Sequence, residues 1–212
     1  ATSVELSVAL YQDEVERIRR RGDARRYELV ADVLDGKSVG STELSAELGG
    51  HPIAGVTQVA VIAHAMDADS IERLEPAVAG LVAGARMTTV RPGGRELWGW
   101  VAVRGDSLMI DDSAIDASSI RVTVGGPAEG IDGFIAAHRD ALAAQRIALS
   151  SRRRIAVTRY DDVAALTLIS ADAVAAQRFA RATLRGLADP DLDALRETVR
   201  VVLTSTETAD SI

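Results

Sequence analysis

Between Thr88 and Val103 two β-prone runs, Thr88–Val90 and Leu97–Val103, are joined by Pro92-Gly93-Gly94-Arg95-Glu96. Adjacent glycines reach positive φ at little cost and close a tight turn, so this spacing predicts a β-hairpin. A hairpin alone is marginal and needs a sheet to join. Val56–Ala65 supplies one strand, a largely apolar run of the kind buried on both faces, and Ile120–Val124 supplies another. Asp69-Ser70-Ile71-Glu72 fits a capping box, with Asp69 as N-cap of a helix running to about Ala85. Asp132–Ser150 reads as an amphipathic helix whose inner side carries Ile131, Phe134, Ile135, Ala141, Leu142, Ala148 and Leu149. The order strand, helix, strand, strand, strand, helix describes an α/β (α+β) sandwich of the ferredoxin-like or palm kind.

Flanking segments are helical. Val4–Leu34 contains no proline, and Gly22 is its one interruption before Gly36. Its apolar positions Leu6, Leu10, Val15, Ile18, Leu29 and Val33 fall loosely at helical spacing. Arg17, Arg19, Arg20, Arg21, Arg25 and Arg26 are interleaved with Asp13, Glu14, Glu16 and Asp23, the pattern of a solvated face rather than a nucleic-acid contact. A long charged helix with a thin apolar stripe needs a partner, and a dimerisation or signalling helix is expected. Thr42–Leu48 is a short helix, Ser107–Ile110 a short strand, Asp111–Ser119 a polar loop and Arg154–Thr158 an edge strand. Two more helices follow, Ala171–Arg185 capped by Ser170, and Asp191–Leu203 started by Pro190. The expected division is therefore 1–36, a linker or dimerisation helix; 37–165, the α/β domain; and 166–212, a helical connector.

Composition narrows the function classes. A chain of 212 residues supports one sizeable core and an appendage, at roughly 100–200 residues per domain. Aromatics make up 3%, so Ala, Val, Leu and Ile are expected to build the core. A net charge of -7 argues against direct phosphate neutralisation on nucleic acid. The absence of cysteine excludes disulfides and thiol chemistry. Apolar runs near Val59–Ala63 and Ala77–Ala85 fall far short of the ~20 residues of a membrane span. With no secretory signal legible, a cytoplasmic location and no membrane contact are expected.

Candidate site residues cluster at the hairpin. Arg95 can pair with Glu96 or a nearby aspartate at the surface. It can also take a phosphate or carboxylate of a small-molecule effector, with the Gly93-Gly94 backbone permitting close approach. Trp98 and Trp100, two apart, share one strand face and serve as packing aromatics or as a protein–protein surface. Asp67 and Asp69 read as turn and cap residues in preference to metal carboxylates. His51, His64 and His138 show neither metal spacing nor a triad and read as structural. No catalytic residue, metal site or cofactor is expected.

The Gly93-Gly94-Arg95-Glu96-Leu97 segment resembles the hairpin of diguanylate cyclases: two glycines, two acidic residues, then a buried strand. The resemblance implies carboxylates holding two Mg²⁺ ions near a nucleotide triphosphate, yet the first acidic position is Arg95. Longer stretches resemble PucR/CdaR-type bacterial transcriptional regulators. These are Arg25-Arg26-Tyr27-Glu28-Leu29-Val30-Ala31-Asp32-Val33-Leu34-Asp35-Gly36, Val122–Pro127, Gly133–Ala144, Arg159–Val163 and Phe179–Leu184. That resemblance implies a GGDEF-like middle domain, a homodimer, and DNA contact only through a helix-turn-helix domain beyond Leu203 that this sequence does not contain. The expectation is a piece of a longer regulator in which the hairpin is a catalytic scaffold without catalysis. A nucleotide- or effector-binding degenerate cyclase with residual activity is the rival reading.

Overall fold

A computed structural model describes residues 2–82, 84–104, 108–113 and 115–206. Among them are seven α-helices and a five-stranded mixed sheet: α1 Thr2–Leu34, α2 Ser41–Glu47, β1 Thr57–Ala65, α3 Leu74–Leu81, β2 Met87–Gly93, β3 Glu96–Val103, β4 Ile120–Glu129, α4 Gly130–Ser150, β5 Val157–Arg159, α5 Tyr160–Ser170, α6 Ala173–Leu184 and α7 Asp193–Thr206. The chain divides into two compact units, Ala1–Ala164 and Ala165–Ile212. In the second, α6 buries no side chain. No single helix among the described residues is long and apolar enough to cross a membrane.

Strand order is β2-β3-β1-β4-β5. The continuous apolar run of β1 takes the centre, because only a central strand buries both faces. It pairs antiparallel with β3, from Thr57 opposite Val103 to His64 opposite Glu96, and antiparallel with β4, from Thr57 opposite Glu129 to Ala65 opposite Ile120. β2 and β3 form the expected hairpin, Val90 opposite Trp98 and Gly93 opposite Glu96. The short β5 lies parallel to β4 at the edge.

Alternation along the strands separates two cores. On one face Val59, Val61, Ala63, Leu97, Val101, Val122 and Val124 pack with Leu74, Val78 and Leu81 of α3. On the other, Ala60, Ile62 and Trp100 pack with Val30 and Val33 of α1, Leu44 of α2, and Phe134, Ala137 and Ala141 of α4. Trp100, expected as a packing aromatic, and Phe134, expected on the inner side of its helix, are fully buried there among aliphatic side chains. α4 lies so close to β4 that a Cβ on Gly125 would sit 2.1 Å from the Ala137 carbonyl oxygen and 2.4 Å from the Ala141 nitrogen. Its inner face also differs from expectation: His138 and Gln145 are buried, while Leu149 is exposed.

Local departures have local causes. Asp69 is not an N-cap: a 3-10 turn, Ile71–Arg73, precedes α3, and the preceding Ser70 has helical φ and ψ with no side-chain cap bond. Residues 108–110 form no strand, and Ser107 lies outside the described residues. Ser170 does not cap α6 because it ends α5. Asp172 caps instead, accepting from the Val174 and Ala175 amides at 2.9 Å each. Pro190 opens a 3-10 turn ahead of α7, with Asp189 accepting from the Asp191 amide.

Candidate functional site

The hairpin turn closes on the end of the central strand. Gly93 and Gly94 have φ of +107° and +63°, a region costly for residues with a Cβ. The turn is anchored twice: the Ala65 amide donates to the Arg95 carbonyl at 2.9 Å, and the Arg95 guanidinium donates to the Met66 carbonyl at 3.1 Å. The bond described for Arg95 is thus to backbone rather than to Glu96 or an aspartate. Gly93, Gly94 and Arg95 are exposed and Glu96 is half-buried.

Glu96 points elsewhere. Strand alternation places it on the same face as Trp98 and Trp100, under α4. One carboxylate oxygen accepts from the Trp98 indole at 3.3 Å and the other from the Gln145 amide at 3.1 Å. Its cross-strand neighbour His64 brings Nδ1 to 3.5 Å from that second oxygen, and this nitrogen has no hydrogen bond. The next residue in the same row, opposite His64 on β4, is Arg121. Its buried guanidinium donates to the Ala148 carbonyl and caps the end of α4, whose last carbonyls lack partners within the helix.

The tryptophans tie three elements together. Trp100 stacks on Phe134 with ring centroids 4.2 Å apart and on His138 at 5.3 Å, and its indole donates to the Phe134 carbonyl at 3.1 Å. Trp98 meets His138 edge-on at 4.5 Å and Tyr27 of α1 at 5.9 Å. Burial in this cage lowers the His138 pKa to about 4, because a charged imidazole would lose its hydration there. His51 is likewise lowered by burial; its Nε2 donates to Gln58, whose amide donates to the Pro52 carbonyl.

Just past β1, Asp67 accepts from the amide and hydroxyl of Ser70 at 2.8 and 2.7 Å, and Arg73 donates to the Ser70 hydroxyl. The Ser70 bonds hold the Asp67 carboxyl below its ordinary range. Asp116 is held down to about 2 by the Ser119 and Ser118 hydroxyls. Each of these acids is engaged by protein donors, and no three His, Asp or Glu side chains among the described residues converge as a metal site. The arrangement braces a turn against a strand end and leaves Arg95 exposed beside the Gly93-Gly94 backbone.

Sequence reasoning found the turn and both tryptophans but missed Gln145 and the row Glu96–His64–Arg121. Counting two residues back from Trp98 would have placed Glu96 under α4. Nothing local marks Gln145 as its partner. Against models of known families, residues 36–147 match the GGDEF-like domain. A search of curated proteins finds no match.

Proposed function

The chain belongs to the GGDEF-like domain family, and on that premise we propose that it is a non-enzymatic regulatory module of a PucR/CdaR-type transcriptional regulator. It relays the state of an upstream sensor to a DNA-binding domain outside this sequence, working as a homodimer in the cytoplasm. The observation that carries the reading is the fate of the two positions after Gly93-Gly94. Arg95 is a cation bonded to the Met66 carbonyl, and the Glu96 carboxylate is taken by Trp98 and Gln145.

A pair of Mg²⁺ ions at a phosphate needs carboxylate oxygens converging on one point. The residues present do not fit that demand. A guanidinium stands at the first position, Glu96 faces α4, and Asp67 is bonded to Ser70. A second reading, binding of a small anionic effector, is favoured by the exposed Arg95 beside the Gly93-Gly94 backbone. Calorimetric titration with GTP and with cyclic di-GMP, with and without Mg²⁺, separates the two. The relay reading expects no heat of binding from either nucleotide. Saturable binding lost in Arg95→Ala would transfer the proposal to the effector reading.

A further inference from the structure

α1 is an unbroken helix of 33 residues, and among its described side chains the first that is buried is Val30. Ahead of Gly22 its sequence keeps a regular apolar spacing. Val4, Val8, Tyr11, Val15 and Ile18 follow one another in alternating steps of four and three. That is the 3.5-residue repeat of a supercoiled seam, with Val8 and Val15 at a and Tyr11 and Ile18 at d. Tyr11 is 72% exposed and Val15 46%, large apolar groups uncovered beside Asp13, Glu14, Glu16 and Arg17.

We infer that residues 4–18 form a short parallel coiled coil with the same segment of a second copy of this chain. β-Branched residues at a favour two strands, and in a parallel pair a g residue faces the e residue five positions later on the other helix. Here g is Glu14, which Arg17 of its own helix also contacts, and that e is Arg19, so opposite charges face each other across the seam. The seam also has a defined end. Gly22 offers no side chain to insert, and Arg25, at the following seam position, lies 3.4 Å from Glu47 of its own chain. From there the helix packs on its own unit through Tyr27, Val30 and Val33. The inference rests on, and gives a partner and geometry to, the homodimer proposed above. Little more than two heptads are available, so the association is weak and concentration-dependent.

Cross-linking tests it in the full chain, which has no cysteine of its own. Val15→Cys is placed at the seam, and Arg17→Cys on the outer face serves as control. With diamide as oxidant, Val15→Cys is expected to form disulfide dimers at least tenfold faster than the control. A second substitution in the same chain, Tyr11→Glu, brings the rate down to the control's. Both positions are exposed, so the melting of the α/β unit stays unchanged and confirms folding. Equal rates for the two cysteines, the result of an antiparallel pair or a monomer, overturn the seam, as does a rate indifferent to Tyr11→Glu. Nucleotide turnover would sink the regulatory reading and leave this cross-link intact, so the two failures are distinguishable.

Discussion

The two faces of the sheet share the same strands but not the same chemistry. The α3 face is aliphatic throughout: Val59, Val61, Leu97, Val101 and Val122 against Leu74, Val78 and Leu81. The α4 face holds a stacked Trp100, Phe134 and His138, the row Glu96–His64–Arg121, and a helix lying on strand backbone at Gly125. An aliphatic layer is held by area and volume, and it accepts substitutes of similar size. A layer of rings and bonded polar groups is held by direction as well, because an orphaned buried donor or acceptor costs its desolvation. The hairpin's acidic residue, Glu96, belongs to that second layer through its bonds to Trp98 and Gln145.

The contrast breaks first where α4 meets β4. Gly125→Ala would drive a Cβ into the Ala137 carbonyl at 2.1 Å, where backbone rather than a flexible side chain must move. The expected loss is about 4 kcal/mol or more in chemical denaturation, with failure to express folded as the extreme. A loss under about 1 kcal/mol would show that the helix rides free of the strand.

Acid acts on the same face. His138 is neutral in the fold with a pKa of about 4, whereas an unfolded chain takes the proton near 6.5. The unfolded state therefore binds more protons between those values, and stability falls as pH drops from 6.5 towards 4. The contribution is fully present above 6.5, and its loss saturates below 4 at about 3 kcal/mol. His51, also lowered by burial, adds in the same direction. Denaturation midpoints across this window should fall less steeply in His138→Phe; an unchanged slope would remove His138 from the account.

Paired conservative swaps sharpen the comparison between faces. Trp100→Phe leaves a cavity and removes the bond to the Phe134 carbonyl, at about 2–3 kcal/mol. Leu81→Met on the α3 face should cost under about 1.5 kcal/mol. Equal losses would erase the distinction. The smallest effect expected is that of Glu96→Gln, about 1 kcal/mol. The new amide can still accept from Trp98 but turns an N–H towards the Gln145 donor.

What was legible in the sequence follows the same divide. The aliphatic strands β1 and β4 and the Gly93-Gly94 hairpin stand out because each states its geometry locally, as an apolar run or a φ requirement. The match to the GGDEF-like domain agrees with the α+β architecture read from their order. α5 was missed because Val163, Ala164, Ala165, Leu166, Leu168 and Ile169 surround its axis with no periodic face. The cap of α6 slipped by two residues, from Ser170 to Asp172, and Asp69 gave way to a turn held by Asp67 on Ser70, since several Ser and Asp side chains compete for each turn. Of the candidate site, Arg95 and the tryptophans were in view. The Glu96–Gln145 bond was not, because it joins residues 49 apart through a helix position that only the packed fold defines.

Product analysis with GTP and Mg²⁺, on the chain as it stands and on Arg95→Asp, tests the central claim most directly. A scaffold whose Glu96 is held under α4 predicts no cyclic or linear dinucleotide from either protein. Mg²⁺-dependent product from the unaltered chain, abolished by Glu96→Ala in a variant that still folds, would contradict it.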